Sequence, residues 1–366
     1  MLGLVAASSF AIAFGQEKIS QYIPFNGSAN NAACLDQFYR EIPPYLVKKS
    51  LTKHSYPLCY NGFNIMYSGV SKTPLWVAES LSVQRLSTKI KREDNFHEES
   101  RVSAKHRAVL SDYRGSGYDR GHMAPNADMS NKEAQFHSFS LANMVPQSPK
   151  NNQQVWRELE EATRAIVTKQ KNDMYVVTGP VFSGKKLKTI GKGVIVPTAV
   201  YKAIYIPKTD VIGVYYAPND NSLKVKIISV CQLEEETGMN LFPQLTAEQK
   251  RNTYQLPLKA TQVKANKKIE YLQWDAESQC AEDVSHDNLK ALQKQFEPPK
   301  STGLNDSNTA ANNSNTSNQN EAPKIDEETQ DAIVKRLIEI VLQFLLQFFQ
   351  KVYFFFPHFV QQLLKF

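Results

Sequence analysis

His122 and Asn152, thirty residues apart, are the residues of this chain with a chemistry of their own. His122 closes the tetrapeptide Asp119-Arg120-Gly121-His122, inside a longer stretch that runs from Gly115 to Pro125. Asn152 opens a helical pattern that carries Trp156, Glu160 and Arg164. A neutral imidazole titrates near neutral pH, so His122 can take a proton from water. The amide oxygen of Asn152 is a hard, neutral donor suited to Mg²⁺, which keeps several waters and takes few protein ligands. With no carboxylate cluster to neutralise it, such an ion acts with its full charge on a phosphate and its departing oxygen. One histidine, one asparagine and nearby arginines are therefore the set that one-metal phosphodiester hydrolysis requires.

Each residue also has a plainer use. A histidine after glycine is often structural, although Gly121 lets backbone approach closely and could orient the ring through a carbonyl bond. An asparagine before an apolar helical pattern is commonly an N-cap, a task that Asn151 can fill, leaving Asn152 free. Glu160 lies eight residues beyond Asn152, about two helical turns, and can face the same site. There it would hold a metal-bound water and orient the ion. Arg164, four residues further, either pairs with Glu160 on the surface or reaches the phosphate. Arg120 is a phosphate clamp or an ion-pair partner.

These residues need a strand end and a helix start held side by side. Residues 57–70 read as strand, turn at Asn61-Gly62, and strand, with a further strand at Trp76–Glu79. The charged run from Lys91 to Arg107 crosses the surface before a short helix near Ala104–Leu110. Apolar segments at Gly121–Ala124 and Phe139–Val145 flank the candidate site. Val155, Leu159, Ala162 and Ile166 mark one face of a helix over 152–168. Strands return at Asp173–Val177, Val194–Pro197, Tyr201–Ile206, Val211–Ala217 and Lys224–Val230, rich in β-branched and aromatic residues. Short helices follow at Leu233–Thr237 and Thr246–Arg251. This order predicts an α+β fold, with a central sheet and helices on its faces.

The chain of 366 residues has 42% apolar residues and a net charge of +7. Residues 301–366 carry five Lys/Arg and seven Asp/Glu, a net of −2, which leaves +9 on residues 1–300. A basic body suits a polyanionic partner. Met1–Ala13 has no charge and ends in Ala11-Ile12-Ala13, the pattern of a secretory leader over residues 1–15, without a basic start. A buried N-terminal element is the alternative. Four cysteines, none in a Cys-x-x-Cys or zinc spacing, favour disulfides in an oxidising compartment. Proximity suggests Cys34–Cys59 and Cys231–Cys280, but three pairings exist.

The main domain is expected over residues 30–298. Fourteen of residues 301–320 are Asn, Ser or Thr, which predicts a disordered linker over 299–330. Residues 331–366 then form an apolar amphipathic helix, with Glu339, Gln343, Gln347 and Gln350 on one side. Its charge-free run, Ile340 to Gln350, is far short of the ~18–20 residues of a spanning helix. Residues 333–355 suit a membrane interface or a helix partner, and a frame-altered C-terminus is the bland alternative.

Taken together, Asp119-Arg120-Gly121-His122-Met123-Ala124-Pro125, Asn143-Met144-Val145-Pro146-Gln147 and Asn152-Gln153-Gln154-Val155-Trp156 resemble the DNA/RNA non-specific endonuclease family. Those enzymes are ββα-metal, or His-Me finger, nucleases. Thr178-Gly179-Pro180-Val181-Phe182 and Val196-Pro197-Thr198 with Tyr201-Lys202 extend the resemblance, which covers roughly residues 55–260. It implies a six-stranded-type antiparallel-rich sheet with a β-hairpin–helix finger. It implies His122 as general base, Asn152 as ligand of Mg²⁺ (Mn²⁺ as the alternative metal) and Glu160 as partner through water. Arg164 would hold the phosphate, with Asn143 and Arg120 supporting the site. The family's upstream arginine has its nearest counterpart in Arg92, two residues before Asp94-Asn95-Phe96. The expected activity is cleavage of DNA and RNA through their phosphate backbones, by a periplasmic or secreted enzyme with no small-molecule cofactor. The alternatives are a phosphodiesterase acting on small nucleotides and a catalytically silent nucleic-acid-binding protein.

Overall fold

The Asn61-Gly62 pair turns the chain between β1 (Ser55–Tyr60) and β2 (Phe63–Ser68). Gly62 takes φ +92°, open to glycine without strain, and the tight turn sets the register of the hairpin. β3 (Thr73–Leu81) returns beside β2. A separate hairpin then forms from β4 (Asp119–His122) and β5 (Met144–Gln147). β6 (Met174–Val181), β7 (Ala199–Ile206), β8 (Val211–Pro218) and β9 (Lys226–Ile228) complete the main sheet. Its order is β9-β8-β7-β6-β3-β2-β1, seven strands with every pairing antiparallel. The expected α+β class with an antiparallel sheet is what the chain adopts, with seven strands in place of six. The structure is a computed structural model and describes residues 32–296. The expected leader, the linker and the C-terminal helix lie outside the described residues.

Period-two alternation divides the core. Val200, Ile204 and Ile206 of β7 face one cluster, and Ala199, Tyr201, Ala203 and Tyr205 face another. Both faces of β7 are buried along its whole length, so it reads as continuous apolar sequence. On the first face lies α4 (Arg157–Gln170), whose Leu159, Ala162, Ile166 and Val167 form the buried stripe that the 3.6-residue period requires. On the second lie α5 (Val230–Thr237) and α7 (His286–Gln295), with Phe296 against Phe38 and Trp76. The remaining numbered helices are α1 (Val83–Ser87), α2 (Leu110–Tyr113), α3 (Lys132–Ser138) and α6 (Ala247–Arg251).

Several local expectations are corrected. The helix expected near Ala104–Leu110 begins only at Leu110, because Asp112 caps it from inside by accepting from the Val109 backbone N–H at 2.8 Å. The strand expected to reach Val230 stops at Ile228, since Ser229 accepts from Gln232 N at 2.9 Å and starts α5 there. Disulfides join Cys34 to Cys59 and Cys231 to Cys280, settling the pairing that the sequence left open. Two disulfides and no free cysteine among the described residues fit an oxidising compartment. Among the described residues no helix is long and apolar enough to cross a membrane.

Candidate active site

β4 and β5 run antiparallel, pairing Gly121 with Val145 and His122 with Met144, and the chain passes from β5 straight into a helix. That helix begins with a π-helical turn, Asn151–Trp156, and continues as α4. Eight residues of regular α-helix would carry Glu160 about 80° past the Asn152 face. The wider i→i+5 turn takes up part of that excess and brings the two positions closer to one face. No sequence pattern announced it.

Gly121 is required by its neighbour. A Cβ there would lie 1.9 Å from Gln147 Oε1, and Gln147 is fully buried. Gln147 Nε2 donates to Asn151 Oδ1 at 2.6 Å, and Asn151 Nδ2 donates to the Pro218 carbonyl at 2.9 Å. Asn151 is therefore not the helix cap expected of it; its side chain fixes the helix start to β5 and β8. Asn143, also fully buried, spends its amide on backbone. Its Oδ1 accepts from Ala124 N at 2.9 Å, while Nδ2 donates to the carbonyls of Ala124 at 2.8 Å and Ser138 at 2.9 Å. It braces the segment after His122 and does not reach the cleft as a ligand.

Asn152 donates through Nδ2 to Asp119 Oδ2 at 2.9 Å, and Gln153 Nε2 donates to the same oxygen at 2.8 Å. The amide is thereby oriented, and its oxygen has no hydrogen bond among the described residues. This donor set fits a hard divalent cation held by one neutral oxygen and by water. No group of three or more His, Cys, Asp or Glu among the described residues is placed to hold a metal. Asp119, quoted in the motif without a role, is the acceptor that Asn152 and Gln153 share.

The His122 ring is held by aromatic contacts, with Phe139 edge-on at 5.0 Å between centroids and Phe96 at 5.7 Å. Its Nε2 is buried and has no hydrogen-bond partner, so the carbonyl bond expected to orient the ring is not what holds it. Burial, with Arg92 and Arg120 adding to it against Asp94, lowers its pKa from 6.5 to about 3. The His122 imidazole is thus neutral across the physiological range. The Arg120 guanidinium lies over the Phe96 ring at 3.9 Å and that of Arg92 over Phe139 at 5.3 Å. Arg92 also meets Asp94 at 2.6 Å, an exposed pair worth little to stability. Arg92, Arg120, Asp119 and Asn152 line one cleft of about 450 Å³.

Glu160 and Arg164, both half-buried, belong to a charge network under α4. Arg164 Nη1 donates to Asp128 Oδ1 at 2.8 Å, so its ion-pair partner is Asp128 and not Glu160, the pairing that is one of the two readings the sequence leaves open. Arg85 Nε donates to the Asp128 carbonyl at 2.8 Å, and its Nη2 meets Glu79 Oε2 at 3.1 Å. Lys202, fully buried, donates to Thr178 Oγ1 at 2.9 Å and lies 5.7 Å from the Trp156 ring centroid. Burial raises Glu160 from 4.5 to about 7, opposed by Arg164 and Lys202. Burial and Asp128 likewise hold Glu79 well above the carboxylate range, against Arg85 and Lys202. Glu79, Asp128, Arg85 and Lys202 were missed as site neighbours. The available signal was alternation, since Glu79 and Lys202 share a face with Val77 and Ile204.

A hairpin with its histidine on the first strand, feeding a helix that opens on an asparagine, is the architecture of a ββα-metal nuclease. A model of the DNA/RNA non-specific endonuclease family matches residues 44–248, and the chain belongs to that family. The mitochondrial nuclease EXOG of Danio rerio is 36% identical over 212 residues, 52% of this chain and 62% of that protein, so somewhat under two thirds of it is spanned. Human mitochondrial endonuclease G is 33% identical over 216 residues, 54% of this chain and 70% of that protein. A nuclease of Nostoc sp. is 36% identical over 211 residues, 52% of this chain and 75% of that protein. A crystal structure of an EndoG/EndoGI complex, described as showing the mechanism of EndoG inhibition, superposes with a TM-score of 0.50 at 26% identity. The match covers 55% of this chain and 94% of that one.

Proposed function

We propose that this protein is a metal-dependent endonuclease that hydrolyses phosphodiester bonds of DNA and RNA, working in an oxidising, secreted or periplasmic setting. The observation that carries the reading is the pairing of two prepared groups on one ββα unit. His122 is held neutral, and Asn152 is turned by Asp119 so that its amide oxygen is free.

The accessible side of the His122 imidazole accepts a proton from the attacking water, Nε2 being the buried nitrogen. Arg92 and Arg120 draw the phosphate into the cleft and hold its added negative charge. A phosphate entering there also offsets the two guanidiniums that depress His122, which makes the histidine a stronger base in the complex than in the free protein. Asn152 would hold Mg²⁺, with Mn²⁺ as the alternative, and Glu160 would position water beside it. When bound, that ion supplies positive charge at the phosphate and at the leaving oxygen. Arg164, tied to Asp128, fixes the face of α4 on which Glu160 sits. Contacts to phosphate carry no sequence information, so cleavage with little sequence preference follows.

The test is digestion of supercoiled plasmid and of RNA with and without EDTA, for the wild type beside His122→Ala. The expected result is cleavage of both polymers that EDTA abolishes, and a loss of several orders of magnitude in the folded variant. Wild-type rates in His122→Ala would overturn the assignment of the base. Cleavage of only a small chromogenic phosphodiester would replace the polymer as substrate.

A further inference from the structure

A cleft that held phosphate alone would need only cations, yet only three of the nine residues that line this one are cationic. Besides Arg92 and Asn152 it is lined by Leu110, Tyr113 and Tyr118, and by Phe96, whose ring lies beside His122. Leu110 is 37% exposed, an apolar side chain facing solvent at the rim. Tyr113 is buried, and its hydroxyl has no hydrogen-bond partner among the described residues. Exposed Arg114 follows Tyr113 at the same rim, and its guanidinium is planar and stacks on aromatic faces.

From Arg114 to Tyr118 the rim is Gly115-Ser116-Gly117, with Gly115 at φ +68° and Gly117 at φ +79°. No atom lies within 4 Å of a Cβ placed at either glycine, so they present bare backbone to solvent. A polymer strand passing over that edge meets no side chain at either glycine, only the small Ser116 between them.

Aromatic and apolar faces combined with a guanidinium are the means by which proteins hold unpaired bases, because every base has a π-face. The space, about 450 Å³, is within the range of small-ligand sites. A base inside a duplex cannot enter such a space without leaving its stack, at a cost of a few kcal/mol.

We infer that the Leu110–Tyr113–Tyr118 wall is a nucleobase subsite, occupied by an unpaired base next to the phosphate that is cut. The inference rests on the nuclease reading above and adds to it the substrate form, single-stranded nucleic acid or a locally opened duplex. Leu110 and Tyr118 clasp the faces of the base, and Arg114 covers it from the rim.

The test uses the full chain and an end-labelled single-stranded oligonucleotide with one abasic position, read as a cleavage ladder. Wild type is expected to cut bonds away from the abasic position normally and the bond beside it about tenfold more weakly, the effect of losing one stacked base. Tyr118→Ala and Leu110→Ala should flatten that dip, and Tyr118→Phe, which keeps the ring, should preserve it. The same sequence annealed to its complement should be cut more slowly than the single strand. A ladder that runs through the abasic position unchanged in the wild type overturns the subsite while leaving the nuclease intact. No ladder at all, with any divalent metal, would instead remove the nuclease reading. If either alanine variant fails to fold, as judged by circular dichroism, the wild-type ladder still decides.

Discussion

At the scale of single residues the site depends on two side chains whose neighbours fix their state. His122 is kept neutral because burial and the charges of Arg92 and Arg120 oppose its cation. In the free protein its protonation lies near pH 3, so the acid limb of kcat/KM should fall well below the 6.5 of an ordinary histidine. Bound phosphate offsets both arginines, so the acid limb of kcat should sit at higher pH than that of kcat/KM. Matched pH profiles check this; identical limbs would mean that the arginines do not face the phosphate. Asn152 invites a second test because Asp119 accepts its Nδ2 hydrogen at 2.9 Å. Asn152→Asp replaces that donor with a carboxylate facing a carboxylate and should cost about 1–3 kcal/mol in a thermal or urea melt. Asp119→Asn in the same chain restores a donor and an acceptor and should recover most of the loss. Strict additivity of the two changes would show that the contact is idle.

At the scale of elements, the finger works because β4, β5 and the head of α4 are locked by Gly121, Gln147 and Asn151. Gly121→Ala places a methyl where Gln147 Oε1 lies 1.9 Å away, and Gln147 cannot swing out without losing its bond to Asn151. The expected cost is about 2–3 kcal/mol, at the upper end for overpacking. It should come with a larger loss of activity than of stability, since the Asn152 turn shifts with Asn151. A variant as active and as stable as the parent would place the lock elsewhere. The parts legible in the sequence were those written in local periodicity. The β1–β2 hairpin followed from Asn61-Gly62, β7 and β8 from β-branched runs, and α4 from its apolar stripe. His122 and Asn152 were legible because their types and their motif are unusual. The π-helical turn, the Arg164–Asp128 pair and the orientation of Asn152 by Asp119 were not legible. Each depends on contacts between residues 33 or more apart, or on a backbone irregularity that no residue type announces. The Asn151 cap failed for the same reason, as its amide is claimed by Pro218 of β8, 67 residues away.

At the scale of the whole molecule, the layer between α4 and the sheet holds ionisable groups whose burial links stability to pH in opposite directions. Glu160, raised from 4.5 to about 7, and Glu79, raised further by burial and Asp128, keep a proton in the folded chain that the unfolded chain has released. Above pH 4.5 the unfolded state therefore binds fewer protons, and stability declines as pH rises through the folded values. His122 acts at the other end. Between 6.5 and about 3 the unfolded chain binds a proton that the folded chain does not, so stability declines as pH falls through that window. Glu99 adds to the acid loss, because despite its burial Arg101 and Tyr60 hold it at about 2. The two windows overlap, and from pH 4.5 upward the two carboxylates outweigh the one histidine, so thermal melts should show a maximum in mildly acid buffer and a falling midpoint from there to pH 8.5. Glu79→Gln removes one of the two groups responsible for the alkaline decline. Its melting temperature should therefore drop less than that of the wild type between pH 6 and 8.5, and the two should differ little at pH 5. An unchanged slope would mean that Glu79 is ionised in the folded chain at neutral pH. In that case Arg85 and Lys202 neutralise it fully, and the layer under α4 is a set of satisfied ion pairs and not a store of buried protons.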